Sequence, residues 1–129
     1  MSAPDDLDAW LRLLRTPGVG RETARRLLAT FGSAQAVFDA APGARRTLVD
    51  AAQATALTAP PERHDEQVAA TRQWLAGDAT RHVIALGDPH FPAALLETAD
   101  PPLLLFAQGR LELLAAPAIA VVGSRNPTP

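Results

Sequence analysis

The chain has 129 residues, a net charge of −2 and a hydrophobic fraction of 47%, so it can bury a core and is not typical of a disordered protein. It contains no cysteine, which excludes disulfide bonds, thiolate nucleophiles and cysteine-ligated zinc. The acidic start and the lack of a long apolar stretch argue against a signal peptide and a membrane span, so we expect a cytoplasmic protein. All 12 basic residues are arginine, and five of them fall between residues 12 and 26.

The first part of the chain predicts three short helices, because its apolar residues recur at helical spacing. Asp5 or Asp6 is the expected cap of the first helix. The second helix is expected to end near Phe31, with Gly32 as its left-handed stop. Ser33 then caps a third helix, which Pro42-Gly43 is expected to end.

Two further helices are predicted before the character of the sequence changes. The alanine-rich residues 44–56 favour one helix, and Pro60-Pro61 begin another that ends at Gly77. That last helix is expected to turn three residues inward: Val68, Thr71 and Leu75. Residues 1–77 are therefore predicted to form an all-α domain of four or five short helices.

Beyond residue 77 the sequence predicts strands. Continuous apolar runs cover residues 82–86, 103–106 and 118–122, with a short helical turn at residues 93–97. Apolar runs without alternation favour a parallel sheet that is covered on both faces. The predicted fold class is α+β, mostly α, in which residues 78–129 form the first strands of a parallel sheet.

The segment LRTPGVGRETA, residues 14–24, is a helix-hairpin-helix signature. Gly18 and Gly20 permit a tight turn whose backbone N–H groups point outward at the start of a helix. A phosphate at that position meets unsatisfied donors and the positive end of the helix dipole. Val19, between the glycines, is expected to insert into the core.

Arginines on the helix after the hairpin strengthen the prediction of DNA contact. Arg21 and Arg25 are four residues apart and share one face, where a phosphate would offset their mutual repulsion. Arg26 is expected to pair with Glu22 instead. Such a hairpin contacts phosphates and not base edges, so no sequence preference is expected. The alternative is a plain turn between helices, and a second candidate at residues 41–46 is degenerate because it lacks the second glycine.

Three motifs in the second half resemble the DprA (Smf) family in order and spacing. They are DPHFP at residues 88–92, DPPLLLFAQG at residues 100–109 and IAVVGSR at residues 119–125. The resemblance covers nearly the whole chain, because the family commonly opens with a small helical domain. It implies that residues 1–77 form a helix-hairpin-helix or SAM-like domain and that residues 78–129 are the first strands of an incomplete Rossmann-like domain. One departure is Phe91, which stands where the family usually places tyrosine.

The resemblance implies a non-enzymatic DNA-binding protein. Family members bind single-stranded DNA during natural transformation, protect it from nucleases and help to load the RecA recombinase. By the match, Gly123, Ser124 and Arg125 would hold a phosphate through backbone N–H, hydroxyl and guanidinium groups. The family pattern normally continues beyond residue 128, so the chain is expected to be a monomeric fragment that lacks the main DNA pocket and the surface of the full-length homodimer.

Other chemistry has little support in the sequence. The three histidines lack the spacing of metal ligands, and no serine sits in a hydrolase context, so neither a metal nor another cofactor is expected. Trp10 and Trp74 lie on predicted apolar faces, which favours core packing over base stacking. Two alternatives stay open: a SAM-like protein–protein adaptor that binds no DNA, and part of a nucleotide-processing Rossmann-like enzyme, although no PGGxGT-type loop occurs.

Overall fold

A computed structural model of the chain describes residues 2–110 and 122–123. These residues form seven helices and three strands. The elements are α1 (Leu7–Arg15), α2 (Arg21–Phe31), α3 (Ala34–Asp39), α4 (Pro42–Arg45), α5 (Ala51–Ala56), α6 (His64–Ala76), β1 (Arg81–Ala85), α7 (Ala93–Leu96), β2 (Leu104–Gln108) and β3 (Val122–Gly123).

The chain divides into two compact units, and the division falls inside α6. The first unit is Asp6–Val68, and the second combines the residues before Asp6 with the chain from Ala69 onward. Compactness alone does not show where an independently folding domain ends. The boundary after residue 77 therefore stays a prediction.

The core of the first unit is aliphatic and is supplied mainly by α1, α2 and α3. Its fully buried large side chains are Leu7, Leu11, Leu13, Leu27, Val37 and Leu57. Gly32 ends α2 at a φ of 94°, and Ser33 Oγ accepts a hydrogen bond from the Ala36 N–H at 3.1 Å. The predicted helix stop and the predicted cap of α3 are thereby confirmed, since glycine adopts the left-handed region without a steric cost.

The predicted cap of α1 is wrong in its chemistry. Asp6 occupies the N-cap position, yet its carboxylate makes no capping hydrogen bond. One oxygen instead accepts from the Trp10 indole at 3.0 Å, and the other accepts from the Gln35 backbone N–H at 3.2 Å. Asp6 therefore joins α1 to the start of α3, because tertiary partners compete successfully for its carboxylate.

The expectation of one helix over residues 44–56 is also wrong. Pro42 does not merely end the third helix, since it opens α4, which ends at Arg45. A turn follows before α5 begins after Asp50. The Asp50 carboxylate accepts from the Gln53 N–H at 2.8 Å, while Gln53 Oε1 accepts from the Asp50 N–H at 3.0 Å. This capping box starts a new helix at Ala51.

The strands of the second unit pair antiparallel, so the expectation of a parallel sheet is wrong for them. Arg81 lies opposite Gln108 and Ala85 opposite Leu104, and Leu105 of the same strand lies opposite Gly123. The link from β1 to β2 contains only the four-residue helix α7 and several prolines. Without a long crossover helix, the chain returns along the neighbouring strand in the opposite direction.

A small apolar cluster supports this sheet. Ile84, Phe91 and Leu105 are buried together, and Leu95 of α7 packs against them. Phe91 thus serves the core at the position where the resembled family usually has tyrosine. Helical and strand units in one chain confirm the α+β class, whereas the Rossmann-like character of residues 78–129 stays a prediction.

Candidate nucleic-acid interface

The connection between α1 and α2 has the features of a type II β-turn over Thr16, Pro17, Gly18 and Val19. Proline stands at the second position, and Gly18 at the third has a φ of +79°. The Val19 N–H donates to the Thr16 carbonyl at 3.3 Å. This turn type needs a positive φ at its third position, which explains why the sequence has glycine there.

The two residues that flank the Pro-Gly pair, Thr16 and Val19, are buried and attach the turn to the core. The side chain of Val19 is only 8% exposed, so the predicted insertion into the core is confirmed. Thr16 is buried as well, and its hydroxyl donates to the Arg12 carbonyl at 2.7 Å. Because its side chain is buried and its N–H already donates, Val19 shapes the hairpin, and any direct contact from it to DNA stays a prediction.

The two glycines of the hairpin lie at the surface. Gly18 and Gly20 are both exposed, and a β-carbon added to either one would meet no heavy atom within 4 Å. Gly20 is the N-cap of α2 and brings no side chain that could cap the first turn. The helix α2 therefore starts at an exposed residue without a side chain, at the positive end of the helix dipole.

A residue from α5 holds this hairpin, and the sequence-based reasoning missed it. The Gln53 side-chain amide donates to the Gly18 carbonyl at 3.0 Å, across 35 positions of the sequence. The spacing of Asp50 and Gln53 fits a capping box and could have predicted the local cap. No local pattern predicts the contact with Gly18, because that contact depends on tertiary packing.

Two arginines of α2 follow the hairpin. Arg21 and Arg25 are both half-buried, lie one helical turn apart and share a face. Arg21 lies in the first turn of α2, where its positive charge adds to the positive end of the helix dipole. Arg26 points elsewhere, since its guanidinium donates to the Thr23 hydroxyl at 3.3 Å.

Other arginines in the helical unit have structural partners. Arg12 lies 4.1 Å above the Phe38 ring and donates to the Leu57 carbonyl at 3.0 Å. Burial, and secondarily the charge of Arg45, lower the pKa of the Arg12 guanidinium. Arg45 is itself only 4% exposed and donates to the carbonyls of Val37 and Ala40. Arg12, from the cluster of five arginines, and Arg45, from outside it, therefore have structural roles within the helical unit.

The second predicted phosphate site lies mostly outside the described residues. Gly123 is in β3, opposite Leu105, while Ser124 and Arg125 are not among the residues that the structure describes. Their roles stay predictions.

The described residues contain neither a metal-binding cluster nor a membrane-spanning helix. No group of three histidine, aspartate or glutamate side chains with metal-binding geometry occurs in residues 2–110 and 122–123. Over the same residues, no helix has the length and apolar character to cross a membrane. Trp10 is buried, and Trp74 contacts the Phe106 ring at 5.7 Å between centroids, so both tryptophans pack against the protein as predicted.

A turn with two glycines joins two short helices here, the second helix starts without a side-chain cap, and arginines follow on it. These features together are typical of a helix-hairpin-helix domain. A family model described as a DprA-like N-terminal HHH domain matches residues 4–69, and one described as DNA recombination-mediator protein A matches residues 82–129. The chain belongs to the DprA family, which indicates a role in DNA processing in transformation and recombination. No curated protein and no solved structure matches the chain.

Proposed function

We propose that the hairpin and the arginine face of α2 form an accessory site for the phosphates of single-stranded DNA. The protein would use this site in DNA processing during natural transformation and would assist RecA loading, as a homodimer in the cytoplasm. Within this proposal, Gly123, Ser124 and Arg125 would supply a further phosphate contact. The proposal assigns no catalytic step and no cofactor to the chain.

The observation that carries the proposal is the open start of α2. Gly20 provides no side-chain cap, and neither glycine of the hairpin has a side chain that would hinder a phosphate. A phosphate at this point accepts from backbone N–H groups and meets the positive helix end. Arg21 and Arg25, on one face of the same helix, would add positive charge that attracts the neighbouring phosphates.

A contact of this kind is made with phosphates, so affinity should depend on salt and only weakly on base sequence. The domain carries few such contacts, which predicts weak binding by the helical unit and stronger binding by a protein that adds a second site. Duplex DNA offers phosphates too, so single-stranded preference has to be measured and not assumed.

The experiment is fluorescence anisotropy of labelled oligo-dT with the chain across a salt series. The variant Arg21→Ala/Arg25→Ala removes both charges of the proposed face, and alanine keeps the helix because it has the highest helix propensity. The matched control is Arg26→Ala/Arg72→Ala, which removes two exposed arginines and equally favours helix. A mixed-sequence strand and a duplex serve as competitors.

We expect the plot of log affinity against log salt to flatten by about 1.4 in the test variant, about 0.7 for each lost phosphate contact. The control should keep most of the wild-type slope. Absence of binding at low salt by a folded chain would overturn the proposal and favour the adaptor function. Equal losses in the two variants would show nonspecific attraction to positive charge instead.

A further inference from the structure

The peptide unit that joins Gly18 to Val19 is held at both of its polar ends. Its carbonyl accepts from the Gln53 side chain at 3.0 Å, and its N–H donates to the Thr16 carbonyl at 3.3 Å. A peptide group is planar, so fixing its carbonyl also fixes the direction of its N–H. The longer and weaker of the two bonds is the one that closes the turn itself.

Gln53 is suited to this task because its own side chain is already ordered. Its Oε1 accepts from the Asp50 N–H at 3.0 Å in the capping box of α5, and this contact fixes the plane of the side-chain amide. The two Nε2 hydrogens then have a defined direction, and one of them meets the Gly18 carbonyl. One amide group thus caps α5 with its oxygen and fastens the hairpin with its nitrogen.

We infer that Gln53 is a positioning residue for the hairpin, which keeps the Gly18–Val19 peptide turned so that the start of α2 stays open to a phosphate. Its importance for DNA contact rests on the proposed function, whereas its effect on the hairpin conformation does not. Without the amide donor, the Gly18 carbonyl is free to turn toward the space above α2, where its negative end would repel a phosphate.

The chain offers variants that separate the two roles of Gln53. Gln53→Glu keeps an oxygen for the Asp50 N–H, and glutamate at this position of a capping box is favourable, but the donor to Gly18 is lost. Gln53→Met is neutral and similar in length, and it loses both contacts. Asp50→Ala weakens the cap of α5 while leaving the Gln53 amide able to donate.

The first measurement is hydrogen exchange of the Val19 amide by NMR on the whole chain without DNA. We expect about fivefold faster exchange in Gln53→Glu and Gln53→Met, the factor that corresponds to one hydrogen bond of about 1 kcal/mol. Exchange in Asp50→Ala should stay at the wild-type rate. Unchanged exchange in both Gln53 variants, or an equal increase in Asp50→Ala, would overturn the inference.

The second measurement is the affinity for oligo-dT at low salt. A loss of about fivefold in Gln53→Met, which carries no added charge, with no loss in Asp50→Ala, would support the positioning role in binding. If the wild-type chain binds no DNA while Val19 exchange still responds to Gln53, the positioning role stands and the proposed function fails. If DNA binds through Arg21 and Arg25 but neither readout responds to Gln53, the inference is overturned and the proposed function stands.

Discussion

The two glycines of the hairpin should respond differently to replacement by alanine, since only one of them has a positive φ. Gly18 has a φ of +79°, which an L-residue adopts at a cost of about 1–2 kcal/mol. An added β-carbon would meet no heavy atom within 4 Å, so backbone strain is the whole expected effect of Gly18→Ala. Gly20 has a φ of −78° and a ψ of 176°, which alanine adopts freely.

For Gly20→Ala two small terms oppose each other. Alanine lowers the entropy of the unfolded chain, which stabilises the folded state by about 0.4–1 kcal/mol. It is also a poorer N-cap than glycine, which destabilises the folded state by a similar amount. We therefore expect the free energy of unfolding of Gly20→Ala to differ from that of the wild type by less than about 0.5 kcal/mol. Gly18→Ala should lower the melting temperature by about 4–8 °C for each kcal/mol lost in a unit of this size.

The assay is thermal and urea unfolding of the whole chain, followed by circular dichroism at a helix-sensitive wavelength. The pair of variants is its own control, since each adds one methyl group to the same exposed turn. Equal stability of the two variants, or a larger loss in Gly20→Ala, would refute the assignment of a left-handed Gly18 as the reason for glycine at that position.

Three further outcomes are expected. Gly20→Ala should weaken oligo-dT binding about fivefold without unfolding the chain, because the added methyl group would displace one hydrogen-bonded phosphate. An unchanged affinity would show that no phosphate approaches Gly20. Arg45→Ala should lower the free energy of unfolding by about 3 kcal/mol, since two hydrogen bonds from a charged donor contribute about 1.5 kcal/mol each. The control Arg46→Ala, at an exposed position, should lower it by less than about 0.5 kcal/mol. Similar decreases for the two variants in urea unfolding would contradict the buried role of Arg45. Burial lowers the pKa of His64 from its ordinary value of 6.5, so its contribution to stability is present above that pH and is lost as the pH falls toward the lowered value. The free energy of unfolding should fall less between pH 7.5 and pH 5.5 in His64→Gln than in the wild type. An identical fall in the two proteins would contradict this prediction.

The sequence predicts the parts of this fold that local chemistry determines. The helix stop at Gly32, the cap at Ser33 and the inward face of α6 follow from short-range rules, and the structure agrees. The hairpin glycines are also recognisable, because a Pro-Gly turn with a positive φ at its third position has few alternatives.

The errors occur where distant parts of the chain compete for the same groups. The Asp6 carboxylate is taken by Trp10 and Gln35, and composition alone does not predict such a choice. The direction of β2 follows from the short link before it, although its apolar run resembles a strand of a parallel sheet.

The candidate site shows the same division. Arg21 and Arg25 are found from their spacing, but the sequence gives Arg12 and Arg45 equal standing with them as basic residues. Only the packing reveals that Arg12 lies over Phe38 and that Arg45 is buried. Gln53 could not be found because its partner, Gly18, is 35 residues away.

The central claim, that the open start of α2 receives a DNA phosphate, is tested most directly by an NMR titration of the isotope-labelled chain with oligo-dT. The account predicts that the backbone amides of Gly20, Arg21 and Glu22 shift most and that the shifts shrink with added salt. Amides of β1, which belongs to the other compact unit, serve as the internal reference. Shifts confined to other surfaces, with these three amides unmoved while DNA is bound, would contradict the account.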